Sequence, residues 1–207
     1  MSNLLIIGAG GHGKVVADAA SSMQKWDKIC FLDDSVISSN RMAVVGRLDY
    51  LSELTKDFSD VVVAIGDNYK RSELLLKSRN LGFNLPAIIH SHAWISSSAE
   101  IGAGSVVFAG AIINAGAKIG FGSIINTSAV VEHDCVIDDY VHISPKAALA
   151  GRVRVGECSW IGIGANIING IQIGENVIIG AGSVVIDDIE DNVVVVGVPA
   201  KVIKKSI

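Results

Sequence analysis

The chain has 207 residues, half of them hydrophobic but only 5% aromatic, with 22 glycines and 3 prolines, a balance suited to short repetitive strands and small-residue turns. A formal net charge of −4 and a pI of about 5.7 exclude a general basic surface for nucleic acid, and no run of about 20 apolar residues offers a membrane span. Cys30, Cys135 and Cys158 have no CxxC spacing, so neither a disulfide framework nor a metal site is expected, and the cytoplasm is the expected compartment.

The chain opens MSNLLIIGAGGHGK, too short an apolar run and without the basic leader of a signal peptide. Leu4 to Ile7 reads as a buried strand, followed by the loop Gly8-Ala9-Gly10-Gly11-His12-Gly13 and a helix from Lys14 to Met23. Ile29 to Leu32 is a second strand ending at Asp33-Asp34, and Val61 to Ile65 a third ending at Gly66-Asp67-Asn68. A helix from Arg71 to Asn80 and a short strand at Ala87-Ile88-Ile89 complete this half. Alternation of strand and helix implies a parallel sheet with its ligand beyond the strand ends. The loop fits G-x-G-x-x-G with an acidic residue twenty positions on, the form of a dinucleotide site. Some ninety residues, however, make only half of a two-lobed dinucleotide fold. A mononucleotide or sugar-nucleotide site is the better reading, with phosphate on the N–H groups of the helix start. A glycine turn that only permits tight packing is the bland alternative.

From Ile95 every sixth residue is aliphatic: Ile95, Ile101, Val107, Ile113, Ile119, Ile125, Val131 and Ile137, then Ile143, Leu149, Val155, Ile161, Ile167, Ile173, Ile179 and Val185. Four places after each stands a small or modest residue, such as Ala111, Ser123, Ala129, Cys135 or Ala147. A period of six is not helical; it joins a short strand to a tight corner, and three hexads make one triangular coil. The sixteen hexads from 95 to 190 give about five coils, a prism roughly 25 Å tall at about 4.8 Å per coil.

In this register Val131 and Cys135 point inward, so His133 and Asp134 fall at a corner and face outward. A carboxylate beside an imidazole fixes its tautomer and raises its basicity, which fits a general base. One coil later stands Gly151, which leaves room for a thioester and exposes an N–H able to bind an oxyanion. His142 falls on another edge of the prism, on an outward face. Solvated-corner explanations exist for each of these residues. Cys135 reads as packing, and His90 and His92 carry no assigned role.

Gly10-Gly11-His12, Asp33-Asp34, Ala64-Ile65-Gly66, Glu132-His133-Asp134-Cys135, Val141-His142 and the tail Gly197-Val198-Pro199-Ala200 together resemble the sialic-acid-type sugar O-acyltransferase family of hexapeptide-repeat acetyltransferases. Within it the chain is most similar to bacterial N-acetyltransferases of UDP-4-amino sugars, of the bacillosamine and perosamine type. The resemblance implies a Rossmann-like α/β parallel-sheet domain over 1–92 that holds a nucleotide sugar. It implies an all-β left-handed parallel β-helix over 93–207, a homotrimer, and acetyl-CoA as co-substrate rather than a permanent cofactor. By the same resemblance His133 is the general base, Asp134 its acidic partner where the family can carry Glu, and Gly151 the oxyanion donor. Gly10, Gly11, His12, Asp33, Asp34 and Gly66 would hold the nucleotide sugar, and His142, Ile163, Gly180 and Ala181 the acetyl-CoA. The expected reaction is direct N-acetylation of a UDP-linked amino-dideoxy sugar. Sugar O-acetylation, a non-catalytic sugar-nucleotide binder and an NAD-linked enzyme remain the other readings.

Overall fold

The computed structural model describes residues 2–35 and 42–205. Strands β1 (Asn3–Ile7), β2 (Lys28–Leu32) and β3 (Asp60–Val63) form a parallel sheet in the order β2–β1–β3. Side chains alternate across β1: Leu4 and Ile6 pack with Val16, Ala19 and Ala20, while Leu5 and Ile7 pack with Leu51, Phe58 and Leu75. Burial on both faces is why β1 reads as an unbroken apolar run. Helix α1 (Gly11–Ser22) starts within the glycine loop, three residues before the spacing suggested. Helix α2 (Asn68–Asn80) also starts three residues early, because Asp67 caps it through a 2.9 Å bond from Lys70 N–H to its carboxylate.

The second half is a left-handed parallel β-helix of about six turns. Its two-residue rungs recur every six residues on three faces, and each pairs with rungs eighteen residues away. The first face carries rungs such as Ile124–Ile125, His142–Ile143 and Trp160–Ile161; the second carries Ile112–Ile113, Val130–Val131 and Ala148–Leu149; the third carries Lys118–Ile119, Val136–Ile137 and Arg154–Val155. Ile113, Ile125, Val131, Ile143, Leu149 and Ile161 are fully buried along the axis. Buried serines at the corners are tolerated because each hydroxyl bridges neighbouring coils. Ser123, for example, donates to Asp138 O at 2.9 Å and accepts from Val141 N–H at 3.0 Å.

Two features differ from the sequence reading. Ile88–Ile89 does not join the three-stranded sheet; it pairs with Val106–Val107 and is the first rung of the coil. The repeat also slips near its end. Ile173 bridges Ile189 and Ile178 pairs with Val194, each sixteen residues on, so the last turn is two residues short. An antiparallel pair, Val193–Gly197 and Ala200–Lys205, then closes the first face.

The halves meet along the first face. Its outward column runs Ile88, Val106, Ile124, His142, Trp160, one residue per coil. Ile88, Val106 and Ile124, with Phe108, share one buried cluster with α1 and the sheet. Helix α2 lies against the corner between the third and first faces, where Leu75 packs with Tyr140 and Phe121. No helix among the described residues is long and apolar enough to cross a membrane.

Candidate active site

The corner after Val130–Val131 carries His133 and Asp134, with side chains 52% and 63% exposed. Asp134 sits at φ 60°, a left-handed conformation that Asp tolerates, and its N–H donates to Ala115 O at 3.0 Å. From there its carboxylate lies beside His133, with Oδ2 2.9 Å from Nδ1. An ionised carboxylate only accepts, so Nδ1 carries the proton and Nε2 keeps a lone pair. That nitrogen faces Gly151, the equivalent residue of the next coil. A Cβ built on Gly151 would stand 2.5 Å from Nε2 and 2.6 Å from Cε1. The imidazole therefore occupies the space that any side chain at 151 would need. A similar relation holds one coil below, where a Cβ on Gly116 would come within 2.8 Å of Asp134 Oδ1. The expected trio of His133, Asp134 and Gly151 is thus together at one exposed corner.

A second group gathers where the first half meets the first face. Gly10, Gly11 and Gly66 have no atom within 4 Å of where a Cβ would stand, so open space lies over the loop and over the end of β3. α1 has no side-chain cap and no acidic residue in its first turn, so its initial N–H groups gain no such partner among the described residues. Asp33 braces this loop: its Oδ2 accepts from Ala9 N–H at 2.7 Å and its Oδ1 from Ser35 N–H at 2.8 Å. Asp34 accepts from Leu48 N–H at 2.9 Å. His12 meets the Phe108 ring edge-on at 5.4 Å, and its buried Nε2 has no hydrogen-bond partner among the described residues. Burial, then the charge of Arg71, pushes the His12 pKa down to about 4.

His142 departs from expectation. Alternation correctly turns it away from the axis, but the first half of the chain covers that face and leaves it 8% exposed. Its ring stacks parallel on Trp160 at 5.7 Å. Burial, then Arg71 and His12, pushes its pKa down to about 3, while the Gly66 backbone opposes the shift. Its tautomer follows from its neighbours. Thr127 N–H donates to Asn126 Oδ1 at 2.8 Å, which fixes the amide; Asn126 Nδ2 then donates to His142 Nε2 at 3.1 Å. Neutral His142 therefore carries its proton on Nδ1, which is buried on the side of the Gly66 backbone and makes no well-formed hydrogen bond among the described residues. His142, expected among the acetyl-CoA residues, lies beside His12 and Gly66.

Ile163, Gly180 and Ala181 form a third group. Ile163 is 55% exposed at the corner between the first and second faces, and its carbonyl accepts from Gly182 N–H at 2.8 Å in the equivalent corner above. Gly180 has a packing reason: a Cβ there would lie 2.6 Å from Val196 Cγ1. This corner and that of His133 border opposite edges of the second face, so one chain does not bring the two groups together. Three residues of the site region escaped the sequence reading: Asn68, Arg71 and Asn126. Asn126 lies one corner before His133 in the repeat, and nothing in its spacing pointed to His142.

Residues 3–77 match the family model described as the PglD N-terminal domain, and 152–187 match the bacterial transferase hexapeptide model of six repeats. The acetyltransferase domain of PglB from Neisseria gonorrhoeae, solved with acetyl coenzyme A, is 45% identical over 97% of this chain and 98% of its own, with a TM-score of 0.95. PerB from Caulobacter crescentus, solved with CoA and GDP-perosamine, is 41% identical over 98% of each chain, with a TM-score of 0.92. Among curated relatives, the putative acetyltransferase YJL218W of Saccharomyces cerevisiae is 57% identical over 53 residues, 26% of this chain. The galactoside O-acetyltransferase of Lactococcus lactis is 41% identical over 33% of this chain. The chain spans only 27% and 36% of the lengths of those two curated relatives.

Proposed function

The chain belongs to the sugar acetyltransferase family, and from that premise we propose that it is an acetyl-CoA-dependent N-acetyltransferase of a nucleotide-linked 4-amino-4,6-dideoxy sugar, UDP-linked in our reading. The observation that carries this is the exposed His133 imidazole, held through Nδ1 by Asp134 at 2.9 Å with Nε2 over Gly151. The sugar amine attacks the thioester carbonyl; a C–N bond forms and the C–S bond breaks. His133 Nε2 takes the amine proton and returns one to the leaving thiolate, giving an amide and free coenzyme A. General base catalysis of this kind contributes about 10²–10⁴-fold, and alignment of the two substrates more. The Gly151 N–H is the donor we assign to the developing oxyanion.

Gly10, Gly11, His12, Asp33, Asp34 and Gly66 hold the nucleotide sugar in this proposal. The open space over the three glycines and the orphaned Nε2 of His12 support it. Ile163, Gly180 and Ala181 take acetyl-CoA from a neighbouring copy, because their corner and that of His133 flank one face. Trp94 and Ile112 are exposed apolar side chains on that face, which supports a homotrimer packed through it. His142 stays in the acetyl-CoA set as the residue nearest the sugar side, its ring buried beside Gly66. We assign the functional units to 1–92 and 93–207, with the rung Ile88–Ile89 of the first unit already built into the coil, and the compartment to the cytoplasm.

Thiol release from acetyl-CoA in the presence of UDP- and GDP-linked amino sugars tests the reading, with the matching hydroxy sugars as controls. Release with an amino sugar, abolished in His133→Ala with assembly intact, is expected. Release with hydroxy sugars alone would reject N-acetylation, and full turnover by His133→Ala would reject the base.

A further inference from the structure

We propose that Arg71 is a positioning residue for the transfer, locking the loop at Gly66 to the coils that carry the reaction; this rests on the function proposed above. Arg71 is 1% exposed and forms no ion pair among the described residues. A buried cation without a carboxylate is costly unless every donor is met. All five of its N–H groups are met. Nε donates to Gly122 O at 2.7 Å. Nη1 donates to Ile65 O at 3.1 Å and Gly66 O at 3.2 Å. Nη2 donates to Asn68 Oδ1 and Tyr140 O, each at 2.7 Å.

The acceptors on the coil follow its repeat. Gly122 and Tyr140 are equivalent corner residues of successive coils, and Cys158 is the next in that column. Their φ angles are 63°, 57° and 58°, so the three corners have the same backbone shape. Arg71 takes the first two carbonyls, and Asn68 Nδ2 takes the third, Cys158 O, at 2.8 Å. One turn of α2 therefore reads three coils in register, while the same guanidinium grips Ile65 and Gly66 from above. Gly66 belongs to the group proposed to hold the nucleotide sugar, and His142 lies beneath it. Burial first, and then the Arg71 charge, oppose protonation of His12 and His142, so both rings stay neutral. Arg71 thus sets where the sugar loop sits over the transferase coils, and its charge adds to the burial that keeps the adjacent imidazoles neutral.

The test uses Arg71→Lys and Asn68→Ala in the full chain. Lysine keeps the charge but has three donors and no planar fork, so at least two of the five acceptors lose their partner. With a displacement of the order of 1 Å, kcat/KM for the nucleotide sugar is expected to fall about 10–100-fold in Arg71→Lys and about 3–10-fold in Asn68→Ala. KM for acetyl-CoA stays within about twofold, because Ile163, Gly180 and Ala181 lie at a different corner and His142 is the one member of that set near Gly66. Hydrogen exchange at residues 64–67 is expected to quicken in both variants while β1 stays protected. Unchanged sugar kinetics in a folded variant, or equal losses for both substrates, would overturn the proposal. Should Arg71→Lys not fold, Asn68→Ala decides. Should the wild-type protein transfer no acetyl group to any amino sugar, the functional reading fails, and unchanged exchange at 64–67 in Asn68→Ala overturns the positioning claim separately.

Discussion

Replacing Gly151 by alanine tests the catalytic corner with a single methyl group. Gly151 is not in the left-handed region, so the backbone accepts alanine without strain. The obstacle is His133, whose Nε2, Cε1 and Cδ2 would lie 2.5, 2.6 and 3.1 Å from the new carbon. Ordinary van der Waals separation requires the ring to retreat by about 1 Å. The ring is half exposed, so it can swing toward solvent at little cost to stability, but the 2.9 Å bond to Asp134 is stretched or lost. A misplacement of that size costs on the order of 10²-fold in rate. Gly151→Ala is therefore expected to melt within a few degrees of wild type, with kcat for thiol release down about a hundredfold and acetyl-CoA affinity little changed. In a His133→Ala background the same substitution should add nothing, since its effect runs through the ring. Wild-type turnover by Gly151→Ala, or additive losses in the double variant, would refute the reasoning.

Acid sensitivity follows from the buried imidazole of His142, whose folded pKa of about 3 lies below its ordinary 6.5. Below pH 6.5 the unfolded chain binds a proton that the folded ring refuses, so stability declines as pH falls from 6.5 toward 3 and is unaffected by this group above 6.5. Between pH 6.5 and 4.5 His142 alone contributes a loss on the order of 2 kcal/mol, so urea midpoints should fall less over that range in His142→Gln than in wild type. Equal acid sensitivity of the two proteins would contradict it. Asp134→Asn keeps the φ of 60° but removes the charge that orients His133; kcat should drop about tenfold or more with both KM values retained. A comparable rise in either KM would mean that Asp134 binds substrate instead.

The sequence made the coil plain because its signal is a property of side chains. One inward residue in six must be aliphatic, and the left-handed corners must tolerate φ near +60°. The same register placed His133 and Asp134 outside and Gly151 beside them. It would also have accommodated Ile89, one hexad before Ile95, had that segment not also looked like a strand of the first half. The short last turn was masked because Ile189 is apolar in either register. His142 shows a different limit: alternation says that a side chain points away from the axis, but not what covers it there. Arg71 shows the deepest. Four of its five acceptors are main-chain carbonyls, which every residue type supplies, so no pattern of letters records the bond. Where a long-range tie is made by side chain to backbone, the sequence carries only one of its two ends.

His133 and Ala181 stand at corners on opposite edges of the second face. A molecule of acetyl-CoA touching both must cross that face or lie between two copies packed against it. The apolar Trp94 and Ile112 favour packing, and a closed threefold ring then gives each site a His133 from one copy and an Ala181 corner from the next. This arrangement has an arithmetic consequence. His133→Ala and Ala181→Trp should each be inactive alone, the second because an indole fills the proposed coenzyme groove. Co-assembled at random in equal amounts, they regenerate an intact site wherever an Ala181→Trp copy lends its His133 to the corner of a His133→Ala copy, which yields about a quarter of the wild-type activity per site. If both groups came from the same chain, every site in the mixture would carry one lesion and activity would stay at background. Thiol release by the co-purified mixed assembly, set against the two homogeneous variants mixed only in the cuvette, separates the two arrangements.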